Sequence, residues 1–313
     1  MKLHHTSGQW QLGAGLSLVT CFMWGILPVA LAIVVKKLDP YTLCWFRFLV
    51  AFISLGIYLA QGKKLVIPQQ LPRNYWILLG ISALFLAFNY QFFLTGLKNT
   101  SASNAEVLIQ MAPVFFGLAS LLIFRERYNL LQWSGLAILI AGLIAYSHDQ
   151  LQMLMSSPDQ YLLGNTLLAL GAFSWAVYAL AQKQLLEKLP STIIMWFIYG
   201  ICLLLFTPMA RPLTILNLNG LELSLLIFSG FNTLIAYGAF SEALEHLEAS
   251  RVSAILAITP LVTLISVDLL SLWFPAWVEA EPISIIGIIG AILVVVGAIA
   301  TTMGKQVKIK TEQ

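Results

Sequence analysis

The chain has 313 residues, 59% of them hydrophobic and only 10% charged; a soluble domain carries roughly a quarter charged residues, so a soluble globule is excluded. At about 20 apolar residues per crossing, ten membrane helices would use about 200 residues and leave about 110 for connections. The formal charge of +3 comes without a basic stripe of interleaved aromatics, which leaves no footprint for nucleic acid.

Ten apolar runs predict ten helices. The first five are Gly13 to Val35, Tyr41 to Ala60, Tyr75 to Leu97, Ser103 to Phe124 and Leu130 to Ser147. The second five are Tyr161 to Gln182, Ser191 to Thr207, Leu221 to Leu244, Val252 to Trp273 and Ile283 to Met303. The first run is too long for the apolar core of a signal peptide and ends on Lys36 and Lys37 rather than a small-residue cleavage site. Cys21, Cys44 and Cys202 lie inside apolar runs without metal-ligand spacing, and His4, His5, His148 and His246 lie at ends or loops. No metal and no cofactor is expected.

Basic residues set the expected orientation. With the N-terminus in the cytoplasm, twelve Lys and Arg fall on inner ends and loops and four on outer loops, while Arg47 is within a run. Both termini are therefore expected inside.

The halves repeat. Tyr90 meets Tyr237, Phe93 meets Phe240 and Pro113 meets Pro260 at an offset of 147; Trp24 meets Trp175 at 151; Gly135 and Gly142 meet Gly290 and Gly297 at 155. Five helices per half is an odd number, so the second half must cross the bilayer upside down relative to the first. The expected fold is all-α: a polytopic membrane protein of ten transmembrane helices arranged as two inverted five-helix repeats. Residues 1–148 form the first repeat, 149–160 an outer connecting loop, 161–304 the second repeat and 305–313 a cytoplasmic tail.

The run from Leu97 through Pro113 to Phe116, the Arg125-Glu-Arg127 turn, the stretch from Gln132 to Gly142, the Arg47-Phe48 pair and Trp24-Gly25 together resemble the EamA-type repeat of the drug/metabolite transporter superfamily. The likeness covers essentially all ten runs. It implies an exporter of metabolites or drug-like solutes. The connection from Trp273 to Glu281 is longer and more acidic than the pattern.

A charge at a helix centre costs about 2.5–3.5 kcal/mol on insertion scales, so one retained there requires a partner, a cavity or an escape to the interface. Arg47 lies six residues past Tyr41 in a helix entering from outside, and Glu106 lies five past Ser101 in another; at 1.5 Å per residue their depths are about 9 and 7.5 Å. Asp268 climbs to the same outer third. Three readings stay open: a charged outer neck that binds substrate or responds to protonation, a structural ion pair, or an Arg47 that reaches out to the headgroups.

Glu106, Gln110 and Pro113 share a stripe of the fourth run, as Ser253, Ala257 and Pro260 do in the ninth. Each proline removes an amide donor near midspan, so both helices should bend there. The stripes face a central cavity or serve close packing. Asn89 and Phe93 share a face of the third run and Asn232 is polar near the middle of the eighth; these amides bond either substrate or a neighbouring helix. Trp24, Trp175 and Tyr178, too deep for an interfacial belt, are candidates for an apolar wall against substrate. Glycines in the fifth and tenth runs suit close helix packing.

These readings describe a secondary transporter of the plasma or bacterial inner membrane. It would export small metabolites, amino acids or related compounds, or drug-like solutes, by alternating access. Import or exchange in the same fold stays open, and a passive pore would favour a continuous polar lining. No nucleophile with its base, no His-Glu-x-x-His and no Walker-type loop occurs, so an enzyme is not expected. The expected partners are a small-molecule substrate and the lipid bilayer, with no nucleic acid; proton coupling, and monomer against homodimer, stay open.

Overall fold

The computed structural model describes residues 9–62, 71–112, 115, 129–156, 158–186, 188–246, 252, 255–281 and 283–303. Among these the chain is entirely helical, because a backbone in lipid has no water to bond and must satisfy its N–H and C=O groups within each segment. The α-helices are α1 (Trp10–Val34), α2 (Pro40–Gln61), α3 (Arg73–Asn99), α4 (Ala102–Leu108), α5 (Leu130–Ser156), α6 (Pro158–Leu185), α7 (Ser191–Phe206), α8 (Gly220–His246), α9 (Thr259–Trp273) and α10 (Ile285–Met303). A short 3-10 helix, Pro212–Asn217, sits between α7 and α8 and was not anticipated. Five helices, α1, α2, α3, α6 and α8, are long and apolar enough over their described residues to cross a membrane. Their outward faces remain apolar, with Leu18, Ile57, Phe88 and Phe231 exposed, as lipid contact requires.

Polar caps start the helices where sequence places them. Asp39 accepts from the Thr42 amide at 3.0 Å and Pro40 takes the first position of α2, where its missing N–H costs nothing. Asn129 and Gln132 exchange hydrogen bonds at the start of α5, as Asn219 and Glu222 do at the start of α8. One expectation is corrected here. The stretch 149–160, read as a loop, is helical through Ser156, and α6 begins at Pro158. Asp149, Gln150 and Gln152 look like loop residues, but no residue there is a helix breaker until Pro158.

The helices pack in pairs: α1 with α8, α3 with α6, α5 with α10, α2 with α7 and α4 with α9. At the α5–α10 crossing, a Cβ on Gly142 would sit 2.6 Å from the Val294 amide and 2.8 Å from the Gly290 carbonyl. This is the small-residue seam the sequence implied.

Glu281, from the α9–α10 connection, caps α4 across the fold: Ser101 Oγ donates to Oε2 at 2.8 Å and the Ala102 amide to Oε1 at 3.1 Å. Burial pushes the Glu281 carboxyl above its ordinary value of 4.5, against the opposing pull of the Ser101 hydrogen bond. A carboxyl whose value is raised on folding favours the native state fully below the ordinary value and loses that contribution as pH rises through the raised one. Glu281→Gln removes the ionisation, so the fall in melting temperature on raising pH from 4.5 should be smaller in this variant than in the parent.

A buried arginine among aromatic rings

Arg47 projects from α2 into the protein with 4% of its surface exposed. Its guanidinium carbon lies 4.4 Å from the centroid of the Tyr90 ring on α3, and its Nε donates to Thr233 Oγ1 on α8 at 3.0 Å. Tyr199 of α7 closes the same corner by donating its hydroxyl to the Thr233 carbonyl at 3.4 Å. Phe48 packs against Tyr90 with centroids 4.5 Å apart and the rings tilted by 36°. Two of the three readings open for Arg47 lose their support. Arg47 does not reach out to headgroups, and no carboxylate oxygen of a described residue lies within 4.0 Å of it. Asp268 is exposed on α9.

A ring cluster continues from Tyr90 toward the other half. Tyr90 lies 6.1 Å from Tyr237, which meets Trp24 at 5.1 Å and Tyr178 at 6.4 Å. Phe240 touches both Trp24 at 5.6 Å and Trp175 at 6.4 Å. The two repeat-related tryptophans thus converge on one phenylalanine, and Tyr178 joins them. Phe93 instead packs half-buried against the core beside α6.

The polar residues divide. Asn89 Nδ2 donates to the Gly171 carbonyl at 3.0 Å, joining α3 to α6, and Asn232 Nδ2 donates to the Met23 carbonyl at 2.6 Å, joining α8 to α1. Their donors bond neighbouring helices, while the Asn232 carbonyl oxygen is buried without a partner among the described residues. Glu106 on α4 is 6% exposed, with no cationic nitrogen of a described residue within 4.0 Å and no hydrogen bond. Gln110 occupies the turn that ends α4. Ala257 is in the turn before α9 and packs on Leu139 and Ala298 of α5 and α10, away from the ring cluster. Pro260 takes the second position of α9, and because it cannot donate to the Leu256 carbonyl, the Thr259 hydroxyl does so instead. Ser253 and Pro113 lie outside the described residues.

A small cleft of about 50 Å³ opens where α2 and α8 end and α7 begins, lined by Leu55, Thr192, Tyr199, Gly238, Ser241 and Glu242. It lies between α2, α7 and α8. Sequence reasoning also missed Thr233, Tyr199, Tyr90 and Tyr237 as parts of the site. Tyrosines recurring at the same offset within apolar runs were the available signal, since a buried phenol needs a hydrogen-bond partner.

The EamA-like transporter family model matches this chain twice, over residues 11–147 and 162–303. The chain belongs to the EamA-like transporter family. An "Uncharacterized inner membrane transporter YhbE" of Escherichia coli (strain K12) is 35% identical over 95% of this chain and 92% of its own length. An "Uncharacterized transporter" of Haemophilus influenzae is 33% identical over 94% of this chain and 95% of its own. A more distant relative, from Salmonella typhimurium, is named "Probable amino-acid metabolite efflux pump" and is 24% identical over 94% of this chain and 95% of its own. A solved crystal structure at 19% identity superposes with a TM-score of 0.62 over 94% of this chain and 98% of that one, a likeness of fold alone. The family and these relatives are transporters rather than enzymes, and the chain is a multi-pass membrane protein.

Proposed function

We propose that this protein is a secondary transporter that exports small metabolites, amino acids or related compounds, by alternating access across ten spans built as two inverted repeats, with both termini in the cytoplasm. The observation that carries the reading is the paired interruption of the fourth and ninth helices. The first breaks at Ile109-Gln110 and the second at Ala257-Ile258, positions that coincide at the repeat offset to within one residue. Broken helices beside a shared interior are how transporters of this build form a midplane site and hinge around it.

The pairing of helices supports the inverted repeat. Exchanging the first five helices for the last five turns the α1–α8 contact into the α6–α3 contact and returns α2–α7, α4–α9 and α5–α10 to themselves. The relative named as an amino-acid metabolite efflux pump supports the substrate class. Glu106, buried and without an ion-pair partner among the described residues beside one break, is the residue assigned to coupling with a proton or a substrate cation.

Counterflow in liposomes tests this. Vesicles loaded with unlabelled leucine or phenylalanine should transiently accumulate the labelled compound above its equilibrium level, because a carrier exchanges bound substrate across the membrane faster than net efflux empties the load. Monotonic equilibration would identify a pore and remove the carrier reading. The sidedness of accumulation under an imposed gradient separates export from import.

A further inference from the structure

We propose that Arg47 and Tyr90 form a carboxylate-recognition site, which takes a small carboxylate with an apolar or aromatic body; the inference rests on the transporter reading and specifies its substrate. A guanidinium buried to 4% exposure carries a full charge into a medium where unpaired ions are costly. In this protein that charge is only partly answered. One donor, Nε, is bound to the neutral Thr233 hydroxyl, and the ring face of Tyr90 supplies a cation–π contact. The two terminal nitrogens have no acceptor among the described residues, and no described carboxylate lies within 4.0 Å. The Tyr90 hydroxyl, on the same ring, is buried beside the side chains of Thr233 and Tyr237 and makes no well-formed hydrogen bond among the described residues. A planar fork of unused donors beside a loosely held phenol hydroxyl is complementary to a carboxylate, which accepts from both arms of a guanidinium in one plane and still has lone pairs for a phenol.

The surroundings define the rest of the ligand. Tyr237, Trp24, Tyr178 and Phe240 continue from Tyr90 as a set of ring faces, suited to an aliphatic or aromatic body and offering no second cation. A route also exists. The cleft between α2, α7 and α8 ends on Tyr199, whose hydroxyl bonds Thr233, the residue that holds Arg47. Leu55, which lines the cleft, lies two helical turns from Arg47 on the same face of α2. A Cβ on Gly238, part of the same wall, would meet nothing within 4 Å. Rotation of Tyr199 would join the cleft to the guanidinium.

The test uses the full chain in detergent, with melting temperature recorded against phenylacetate, L-phenylalanine and L-leucine, and against phenylacetamide as the uncharged match of the first. A ligand that binds only the folded state raises the melting temperature with concentration. The carboxylates should raise it and phenylacetamide should not. Arg47→Gln should weaken apparent affinity for phenylacetate at least tenfold, and Arg47→Lys should weaken it too, because an ammonium lacks the planar fork. Tyr90→Phe, which keeps the ring and drops the hydroxyl, should weaken it several-fold and provides a readout if the arginine variants fail to fold. Equal shifts from acid and amide, no shift from any of the carboxylates, or an undiminished shift in a folded Arg47→Gln protein would overturn the assignment. Carboxylate binding through Arg47 without counterflow would leave the site standing and remove the transporter reading; counterflow indifferent to Arg47→Gln would do the reverse.

Discussion

Gly290→Leu should abolish accumulation of the folded protein in membranes, or lower its melting temperature by more than any other single substitution discussed. At this position on α10 a Cβ would overlap the Tyr146 backbone amide and lie 2.9 Å from both the Gly142 carbonyl oxygen and Tyr146 Cα. The obstruction is backbone, so no change of rotamer relieves it. The helices would have to separate, and α5 and α10 have no hydrophobic drive to re-form the contact, because lipid tails solvate apolar side chains as well as a neighbouring helix does. Overpacking that only displaces side chains costs about 1–3 kcal/mol; where two backbones must part, a loss of roughly 4–5 kcal/mol or more is expected. Gly142 and Gly297 are tied to the same seam, with a Cβ on Gly297 placed 2.7 Å from the Gly135 carbonyl. Gly15 is the control: a Cβ there meets nothing within 4 Å, so Gly15→Leu should melt near the parent temperature. Equal behaviour of Gly290→Leu and Gly15→Leu, by melting of the solubilised protein, would mean the α5–α10 crossing is not held by close backbone approach.

That seam was legible because its signal is local: glycines repeated seven residues apart on one helix face a like pattern 155 residues later. The meeting of the two tryptophans was legible for a similar reason, since Trp24 and Trp175 share a place in the repeat and both reach Phe240. The charged neck failed where depth was used as if it were position. Depth along a helix fixes one coordinate, but each residue also turns the side chain by about 100° around the axis. Arg47 turns toward α3 and α8, Glu106 is held on α4 among residues packed against α1 and α9, and Asp268 faces outward. The asparagines stayed open between two readings for a different reason. Their sequence context could not separate an amide bonded to substrate from one bonded to a neighbour's carbonyl, and the latter depends on which helix crosses at that height. Close approach decides it: a Cβ on Gly171 would sit 3.6 Å from the Asn89 carbonyl oxygen, which brings the Gly171 carbonyl within reach of the Asn89 amide.

Glu106→Gln should leave the protein at least as stable as its parent while reducing transport more than tenfold. The side chain is 6% exposed, and among the described residues it has neither a cationic nitrogen within 4.0 Å nor a hydrogen bond. A carboxylate so placed costs about 2.5–3.5 kcal/mol on insertion scales, and nothing described offsets that cost. Glutamine has nearly the same shape and no charge, so the fold should keep its packing and lose the penalty. A structural acid behaves in the opposite way, because removing one partner of a satisfied pair strands the other. The position sharpens the expectation. Glu106 is one turn before Gln110, where the helix breaks, and it lies within electrostatic reach of Cys21 on α1, whose Sγ is 3.5 Å from the Thr259 hydroxyl oxygen at the start of α9. An acid that takes up a proton or a substrate cation there changes the charge at the point where α1, α4 and α9 meet, which is what would bias one arrangement of the broken helices over the other. Melting of the solubilised variant beside counterflow in liposomes decides the matter. A variant that melts lower and transports normally would reduce Glu106 to a packing residue and move coupling elsewhere; one that melts at or above the parent temperature and no longer exchanges substrate assigns the carboxyl to the transport cycle.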